Sequence, residues 1–206
     1  MKLFYSAGSC SVSPHIALNE ANLPYTMESV NLATKVMGNG ENYLAINPNG
    51  QVPALMLDDG TLLTEGAAIV QFIADLASDK NLLPAVGQIN RYKALSWLNY
   101  ISTELHKGFS PLYNPRTPEE YKAIAIENIH KKFEYLNAHL EKNTYLLGDS
   151  YCVADGYLFT VINWTHFLKM DISKYSHLCR FMNTMMKRDA VIKTLEQEGL
   201  NLQDVW

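Results

Sequence analysis

Hydrophobic periodicity changes once along this chain of 206 residues, and the change divides the chain into two parts. Up to about residue 77, short apolar runs typical of strands alternate with helical segments. Beyond residue 87, apolar residues recur at steps of three and four, which is the spacing of one helix face. The stretch between, 78–87, contains Asp, Lys, Pro and Gly and is typical of a linker. We therefore expect an α/β domain at 1–80 and an all-α domain at 87–206.

The first part predicts the element order β-α-β-α-β-β-α, with room for a four-stranded mixed sheet. Apolar runs predict strands at 3–5, 25–30, 52–57 and 61–63, and helical segments follow at 42–46 and 66–77. Pro14 fits the first turn of the first helix, with Ser11 or Ser13 as its N-cap.

The second part predicts helices throughout. One stripe consists of Leu95, Leu98, Ser102, Leu105 and Phe109, and the next of Ile129, Phe133, Leu136 and Leu140. Residues 154–168 are apolar almost all round, which predicts a buried central helix, and shorter helices are expected near 178–187 and 191–197.

Composition excludes several classes of function. The net charge of −4 is scattered along the chain, so it offers no basic stripe for nucleic acid. The sequence shows neither a signal peptide nor an apolar stretch long enough for a bilayer, so we expect a cytoplasmic protein with no membrane partner. Cys10, Cys152 and Cys179 lack the spacing of a disulfide framework or a zinc site, and we expect no metal.

Cys10 is the first candidate for chemistry. It falls in the turn after the first strand, where backbone N–H groups and the dipole of the following helix stabilise an anion and lower a thiol pKa below ~8.5. Cys10-Ser11-Val12-Ser13 also has the C-x-x-S spacing of one-thiol redox sites. The alternative is a partly buried cysteine without function.

Two further features predict binding of a peptide-like anion. The Val52-Pro53 bond heads a strand, and in the cis form it would present the Val52 N–H and C=O to a ligand that adds as a strand. Glu65 lies at a helix start, where Gly66 leaves a backbone N–H open to a carboxylate. The alternatives are a plain turn and a capping acid with no ligand.

The second part contributes one polar group of three residues. Asn99, Thr103 and His106 are spaced i, i+4 and i+7 and therefore share one face of a regular helix. An amide, a hydroxyl and an imidazole together favour a binding face, and the alternative is a solvated surface.

These motifs, taken in order, resemble the glutathione S-transferases, and specifically the bacterial beta class. The resemblance runs the length of the chain, through Gly8-Ser9-Cys10-Ser11, Asn47-Pro48-x-Gly50-Gln51-Val52-Pro53, Leu63-Thr64-Glu65-Gly66, Trp97-Leu98-Asn99-Tyr100, Glu104-Leu105-His106-Lys107-Gly108-Phe109 and Val153-Ala154-Asp155-x-Tyr157-Leu158-Phe159. It implies a thioredoxin-like first domain that binds glutathione and a helical domain that completes the electrophile site. It also implies a homodimer, in agreement with the extra apolar residues of segments 88–107 and 118–141.

The resemblance assigns a role to each matching position. Cys10 would lie next to the glutathione sulfur, able to form a mixed disulfide with it, and Pro53 would be cis so that Val52 pairs with the cysteinyl part. The other glutathione-binding positions would be Lys35 for the glycine carboxylate, Glu65 and Gly66 for the γ-glutamyl end, and Asn99, Thr103 and His106 near the thiol. His106 would act there as a hydrogen-bond donor or as a base.

The implied activity is conjugation of glutathione, as a substrate, to small apolar electrophiles. One alternative is a glutathione-dependent thiol reductase or dehalogenase that works through a Cys10 mixed disulfide, and another is a non-catalytic binder of apolar ligands. The chain departs from the family at Cys152, where a Ser or Thr usually caps the helix that begins near Ala154.

Overall fold

The structure, a computed structural model, describes residues 1–200. The chain folds into two compact units. The first contains Met1–Leu83 together with the residues from Arg188 to the end of the described chain, and the second contains Pro84–Lys187. Residues 201–206, which the sequence assigned to the helical domain, lie outside the described residues.

A mixed sheet is the centre of the first unit. It contains β1 (Lys2–Tyr5), β2 (Thr26–Asn31), β3 (Val36–Met37), β4 (Ala54–Met56) and β5 (Leu62–Thr64) in the order β3-β2-β1-β4-β5. Leu3 of β1 faces Met27 of its parallel neighbour β2 and Leu55 of its antiparallel neighbour β4. The thioredoxin-like fold is therefore confirmed, with one strand more than expected. Strand β3 was missed because two residues are too short to show an alternation.

Helices α1 (Val12–Ala21) and α2 (Gly66–Leu76) complete the core of this unit, with single 3₁₀ turns at Tyr43–Ala45 and Ser78–Lys80. Residues from the sheet and both helices are fully buried, among them Leu3, Ile16, Leu55, Ile69 and Ile73. Burial of such side chains supplies most of the folding free energy of a small unit.

The last described helix, α9 (Asp189–Gln197), belongs to the first unit, whereas its sequence position placed it with the helical part. Arg188 donates from Nε and Nη2 to the two carboxylate oxygens of Glu20 at 2.6 and 3.0 Å. Asn19 donates to the Thr194 hydroxyl at 2.9 Å. These bonds join α9 to α1, and no local sequence signal reports a partner so distant in the chain.

The second unit is helical throughout its described length, as expected. It contains α3 (Ile89–Tyr100), a π-helical segment (Ile101–His106), α4 (Lys107–Tyr113), α5 (Glu119–Glu141), α6 (Val153–Ile162), α7 (Trp164–Phe167) and α8 (Ser176–Met185). Every residue of α6 is buried, as expected for a central helix, but the helix ends at Ile162 and does not extend to residue 168. The separate short helix α7 follows it, and Phe167 at the end of α7 is exposed. Among the helices of residues 1–200, none is both long and apolar enough to cross a membrane.

The inward stripe of α3, the π segment and α4 agrees with the prediction at Leu98, Leu105 and Phe109 and differs from it at two positions. Ala94, Leu98, Ile101, Leu105 and Phe109 are the buried positions. Leu95 and Ser102 are only half-buried, because the neighbouring Ala94 and Ile101 take the inward positions.

Cys152 is the N-cap residue of α6, and both halves of its capping box with Asp155 are present. The Asp155 carboxylate accepts the N–H groups of Cys152 and Leu146, both at 2.8 Å, although Asp155 itself is fully buried. Burial, followed by the Asp155 carboxylate, raises the pKa of the Cys152 thiol well above its ordinary value. The sulfur thus occupies the cap position as a neutral thiol, which is a poor hydrogen-bond acceptor.

We expect Cys152→Ser to raise the free energy of unfolding by up to ~1 kcal/mol, because a hydroxyl is a better cap acceptor of similar size. Urea unfolding of the variant measures this, with Cys179→Ser as a control that introduces a hydroxyl away from any cap. A lower midpoint for Cys152→Ser would show that the sulfur contributes more as an apolar group than as a cap.

Candidate functional site

The Cys10 turn links β1 to α1 and is fixed mainly by Ser11. The Ser11 hydroxyl donates to the Ser6 carbonyl at 3.1 Å and accepts the Ser6 N–H at 3.2 Å. Ser11 is the N-cap residue of α1, but its side chain cross-links the turn and makes no cap hydrogen bond. Gly8 has a φ of +72°, a backbone conformation that favours glycine.

The first N–H groups of α1 are engaged within this turn, contrary to the expectation that they would be open to an anion. The N–H groups of Ser11 and Val12 donate to the Ser9 hydroxyl and carbonyl at 3.3 and 3.1 Å. The Ser13 N–H donates to the Cys10 carbonyl at 3.3 Å. The helix dipole, rather than free amides, is therefore the remaining contribution of α1 at this turn.

Cys10 and Val52 are brought together, as the resemblance implies. The half-buried Cys10 thiol donates to the Val52 carbonyl oxygen with Sγ at 3.1 Å. The Val52-Pro53 peptide bond is cis. Within residues 1–200 the Val52 N–H donates to no protein acceptor, so a peptide-like ligand can pair with it.

Two side chains brace the loop that carries Val52. Asn47 donates from Nδ2, and Tyr43 from its hydroxyl, to the Gln51 carbonyl at 2.9 and 2.8 Å. Both residues are buried, so their polar atoms are matched within the loop. The loop thus presents Val52 from a rigid support.

Lys35 lies against the same loop. Its Nζ donates to the Gly50 carbonyl at 2.8 Å. A Cβ at Gly50 would lie 3.1 Å from Cε of Lys35, so glycine leaves room for the lysine stem, and its φ of +61° also favours glycine. The structure therefore places the Lys35 ammonium beside the Val52 loop.

Glu65 has an uncommon backbone conformation at the start of α2. Its φ is +68°, a region that non-glycine residues rarely adopt and that is frequent where ligands bind. The Glu65 carbonyl accepts the N–H groups of Ala68 and Ile69, both at 2.9 Å. The preceding N–H groups, of Gly66 and Ala67, donate to no acceptor within residues 1–200 and are available to a carboxylate.

Glu198, which directly follows α9, and His15 of α1 brace the Cys10 turn, and neither contact was expected from the sequence. The Glu198 carboxylate accepts the Gly8 N–H at 3.0 Å and pairs with Nδ1 of His15 at 2.8 Å. His15 Nε2 lies 2.9 Å from both the Tyr25 hydroxyl and Oε1 of Gln197. The side chains of His15 and Glu198 are fully buried. Since 190 residues separate Gly8 from Glu198, no local pattern could have shown this pairing.

In the second unit, Asn99 and Thr103 are exposed neighbours. The Thr103 hydroxyl donates to the Asn99 carbonyl at 3.0 Å. Asn99 lies in the last turn of α3, whereas Thr103 and His106 belong to the π segment. Its wider turns change the angle between the side chains of Thr103 and His106 from that of a regular helix. π segments are frequent at functional sites.

His106 is turned toward buried aromatic side chains. Its Nδ1 lies 2.7 Å from the Tyr157 hydroxyl, and its ring meets the Trp164 ring edge-on at a centroid distance of 4.8 Å. Burial, and secondarily the charge of Lys107, lowers the pKa of His106 to about 4. The imidazole is therefore neutral at pH 7. Sequence reasoning missed both aromatic partners, although Tyr157 lies within a motif that it singled out.

No group of three or more His, Cys, Asp or Glu side chains within residues 1–200 is arranged to hold a metal ion.

Both parts of the chain match models of known protein domains. Residues 7–76 match the glutathione S-transferase N-terminal domain, and residues 100–189 match the glutathione S-transferase C-terminal domain. The chain is 49% identical over 200 residues to glutathione S-transferase GstA of Escherichia coli O157:H7, an alignment that covers 97% of this chain and 100% of the relative.

Solved structures of other proteins are similar to this chain over nearly its whole length. A bacterial beta class glutathione S-transferase of Sphingomonas chungbukensis superimposes with a TM-score of 0.95 at 38% identity, covering 98% of this chain and 100% of the other. A sphingomonad glutathione S-transferase in complex with glutathione superimposes with a TM-score of 0.94 at 39% identity and the same coverage.

Proposed function

Because the chain belongs to the glutathione S-transferase family, within its bacterial beta class, and is an enzyme of that kind, we propose that it conjugates glutathione to small apolar electrophiles. The observation that supports the proposal most directly is the Cys10 thiol, which lies 3.1 Å from the Val52 carbonyl, beside the unpaired Val52 N–H. A thiol beside an unpaired backbone N–H suits a peptide substrate that itself contains a cysteine.

We propose the following contacts for glutathione in the first unit. The cysteinyl part pairs with the Val52 N–H and C=O, and its γ-glutamyl end binds at Glu65 and the open N–H of Gly66. Its glycine carboxylate accepts from Lys35. The sphingomonad relative, whose structure contains glutathione, supports glutathione as the ligand.

Val52 has to change partners when glutathione binds in this way. In the structure, its carbonyl already accepts the Cys10 thiol. A glutathione N–H at the same carbonyl would compete with that bond and turn the Cys10 sulfur toward the glutathione sulfur.

The second unit contributes Asn99, Thr103 and His106 near the thiol in this proposal. Conjugation then needs the glutathione sulfur as a thiolate. The sulfur forms a bond to an electrophilic carbon, the leaving group departs with the bonding electrons, and the thiol proton passes to solvent. A donor at the sulfur stabilises the thiolate before reaction, and the bound geometry supplies proximity.

The half-buried Cys10 thiol also favours the second candidate, a thiol-disulfide reductase that passes through a Cys10–glutathione mixed disulfide. Both activities need reduced glutathione, which is abundant in the cytoplasm, and we propose that location.

An aryl chloride whose thioether absorbs light tests conjugation, and a glutathione mixed disulfide tests reduction. We expect conjugation that saturates with glutathione, and its absence at all glutathione concentrations would overturn the proposal. Activity on the mixed disulfide alone would assign the reductase function instead.

We expect Lys35→Ala to raise the KM for glutathione about fivefold, with kcat nearly unchanged. Loss of one charge-assisted hydrogen bond to a carboxylate costs about 1 kcal/mol at a partly exposed site. Steady-state kinetics with varied glutathione measures the effect. Lys80→Ala removes an exposed lysine of the same unit, 3.8 Å from Asp79, and should leave KM unchanged. An equal effect of both variants would remove Lys35 from the proposed site.

We also propose a homodimer, formed through α3 and α5. These helices expose large side chains in addition to their buried stripes, namely Ile89, Tyr92, Tyr121, Ile124 and Tyr135. Rings of Trp97, Tyr100 and Tyr135 pack together there, with centroids less than 6 Å apart. An apolar face of this extent is typical of a subunit contact.

Sedimentation should therefore give twice the mass of the 23.3 kDa chain at micromolar concentration. We expect Tyr135→Glu to weaken the dimer at least about tenfold, since it buries a charge in the contact. Ile192→Glu, on the exposed face of α9, serves as the control. A monomer in the unaltered protein would contradict the proposal.

A further inference from the structure

The side chain of His106 contacts the hydroxyl group of the buried Tyr157 within the second unit. The two atoms, Nδ1 and Oη, are 2.7 Å apart. Tyr157 is 4% exposed, so its hydroxyl is removed from water. A neutral imidazole has one N–H donor and one acceptor nitrogen, and this contact decides which nitrogen is which.

The distance favours the tyrosine as the donor. Hydrogen bonds donated by O–H groups cluster near 2.7–2.8 Å, whereas those donated by N–H groups cluster near 2.9–3.0 Å. A phenol is also a more acidic donor than a neutral imidazole, and the lone pair of an imidazole nitrogen is a stronger acceptor than a phenol oxygen. The Tyr157 hydroxyl is therefore the favoured donor in this contact, which would place the proton of a neutral ring on Nε2.

The surroundings make this arrangement a fixed one. The Trp164 ring meets the imidazole at 75°, and the Tyr157 ring meets it at 87°, so two aromatic side chains confine the ring orientation. Nε2 has no protein partner within residues 1–200. The π segment that begins at Ile101 ends at His106 and so sets the direction of its side chain.

We propose that Tyr157 is a positioning residue that fixes His106 in the Nε2–H tautomer, so that His106 donates a hydrogen bond to the sulfur of glutathione and does not act as a base. This inference rests on the proposed function for its substrate and goes beyond it in assigning the proton. The low pKa of His106, about 4, agrees with it, because such an imidazole is a weak base but remains a donor.

Nitrogen NMR of the unliganded protein tests the tautomer directly. In protein labelled with ¹⁵N at histidine, His106 should show an acceptor-type Nδ1 and a protonated Nε2, and in Tyr157→Phe the two tautomers should mix. A protonated Nδ1 in the unaltered protein would overturn the proposal. The measurement uses no glutathione, so its outcome does not depend on whether the proposed function holds. Calorimetric titration with glutathione tests the proposed function separately.

Kinetics then tests the consequence. Tyr157→Phe should lower kcat about tenfold with little change in the KM for glutathione. In a double-mutant cycle, adding Tyr157→Phe to His106→Ala should change kcat less than about twofold, because the hydroxyl acts through the imidazole. Additive losses would show that Tyr157 acts independently and would overturn the positioning role.

Two further variants separate a positioning role from a structural one. Tyr175→Phe removes a similar contact, since the buried Tyr175 hydroxyl lies 3.0 Å from Nδ1 of His130 in the same unit, and it should leave kcat unchanged. His106→Gln retains a side-chain N–H donor but no base, so its kcat should be at least about fivefold higher than that of His106→Ala. Equal kcat values for these two variants would assign His106 the role of base and overturn the proposal.

Discussion

Oxidised glutathione is expected to add one glutathionyl group to this protein, at Cys10. The Cys10 sulfur attacks one sulfur of the disulfide, the S–S bond of glutathione breaks, and the departing glutathione thiolate takes up a proton. Cys152 is 2% exposed, and burial raises the pKa of its thiol. Burial, followed by Asp171, also raises the pKa of the half-buried Cys179. Modification of Cys10 should be about tenfold faster or more, since a raised pKa lowers the thiolate fraction of the other two cysteines and burial limits access to Cys152.

Intact-protein mass spectrometry counts the groups added, and peptide mapping places them. Cys10→Ala should abolish the adduct and any reduction of mixed disulfides, whereas Cys179→Ala should leave both. Conjugation should survive in part in Cys10→Ala, because the proposed donor at His106 remains. Labelling spread evenly over the three cysteines would show that Cys10 is not set apart by its turn.

Glu198→Ala is expected to lower the free energy of unfolding by about 3 kcal/mol. The variant removes the buried carboxylate that accepts the Gly8 N–H and pairs with Nδ1 of His15, and the loss of one member of a buried polar pair costs several kcal/mol. Urea denaturation followed by far-UV circular dichroism measures the change.

Glu196→Ala provides the matched control, because Glu196 is exposed on the last turn of α9, two residues before Glu198. Its effect should stay within about 0.5 kcal/mol. Equal changes in the free energy of unfolding for the two variants would mean that the contacts of Glu198 with Gly8 and His15 do not stabilise the fold.

The sequence predicts those parts of the fold that depend on local pattern. The strands at 3–5 and 61–63 lie within one residue of β1 and β5, because a short apolar run next to a turn is a direct local signal of a strand. Ser11 illustrates the limit of such reasoning, since its residue type favours a cap but its hydroxyl bonds to Ser6 instead. The preference of serine for N-cap positions does not show whether its hydroxyl bonds to the helix or to another backbone group nearby.

The candidate site also has parts that the sequence predicts and parts that it does not. Cys10 and Val52 could be paired from motif resemblance, and the structure brings them together. The roles of Lys35, Glu65 and His106 in binding remain predictions. The contact between His106 and Tyr157 could not be expected, because a helical period of 3.6 residues was assumed where the chain forms a π segment. An inserted residue of this kind leaves no mark in the apolar pattern.

The bond between Gly8 and Glu198 has a consequence for synthesis of the protein. A ribosome releases the strands of the first unit early, but the acceptor for Gly8 emerges 190 residues later. Pro84–Lys187, in contrast, is one uninterrupted stretch that can fold before the last helix is made. The usual order, in which the N-terminal domain is finished first, is therefore reversed. The nascent chain carries its Cys10 turn in an unfinished form until Glu198 has been made.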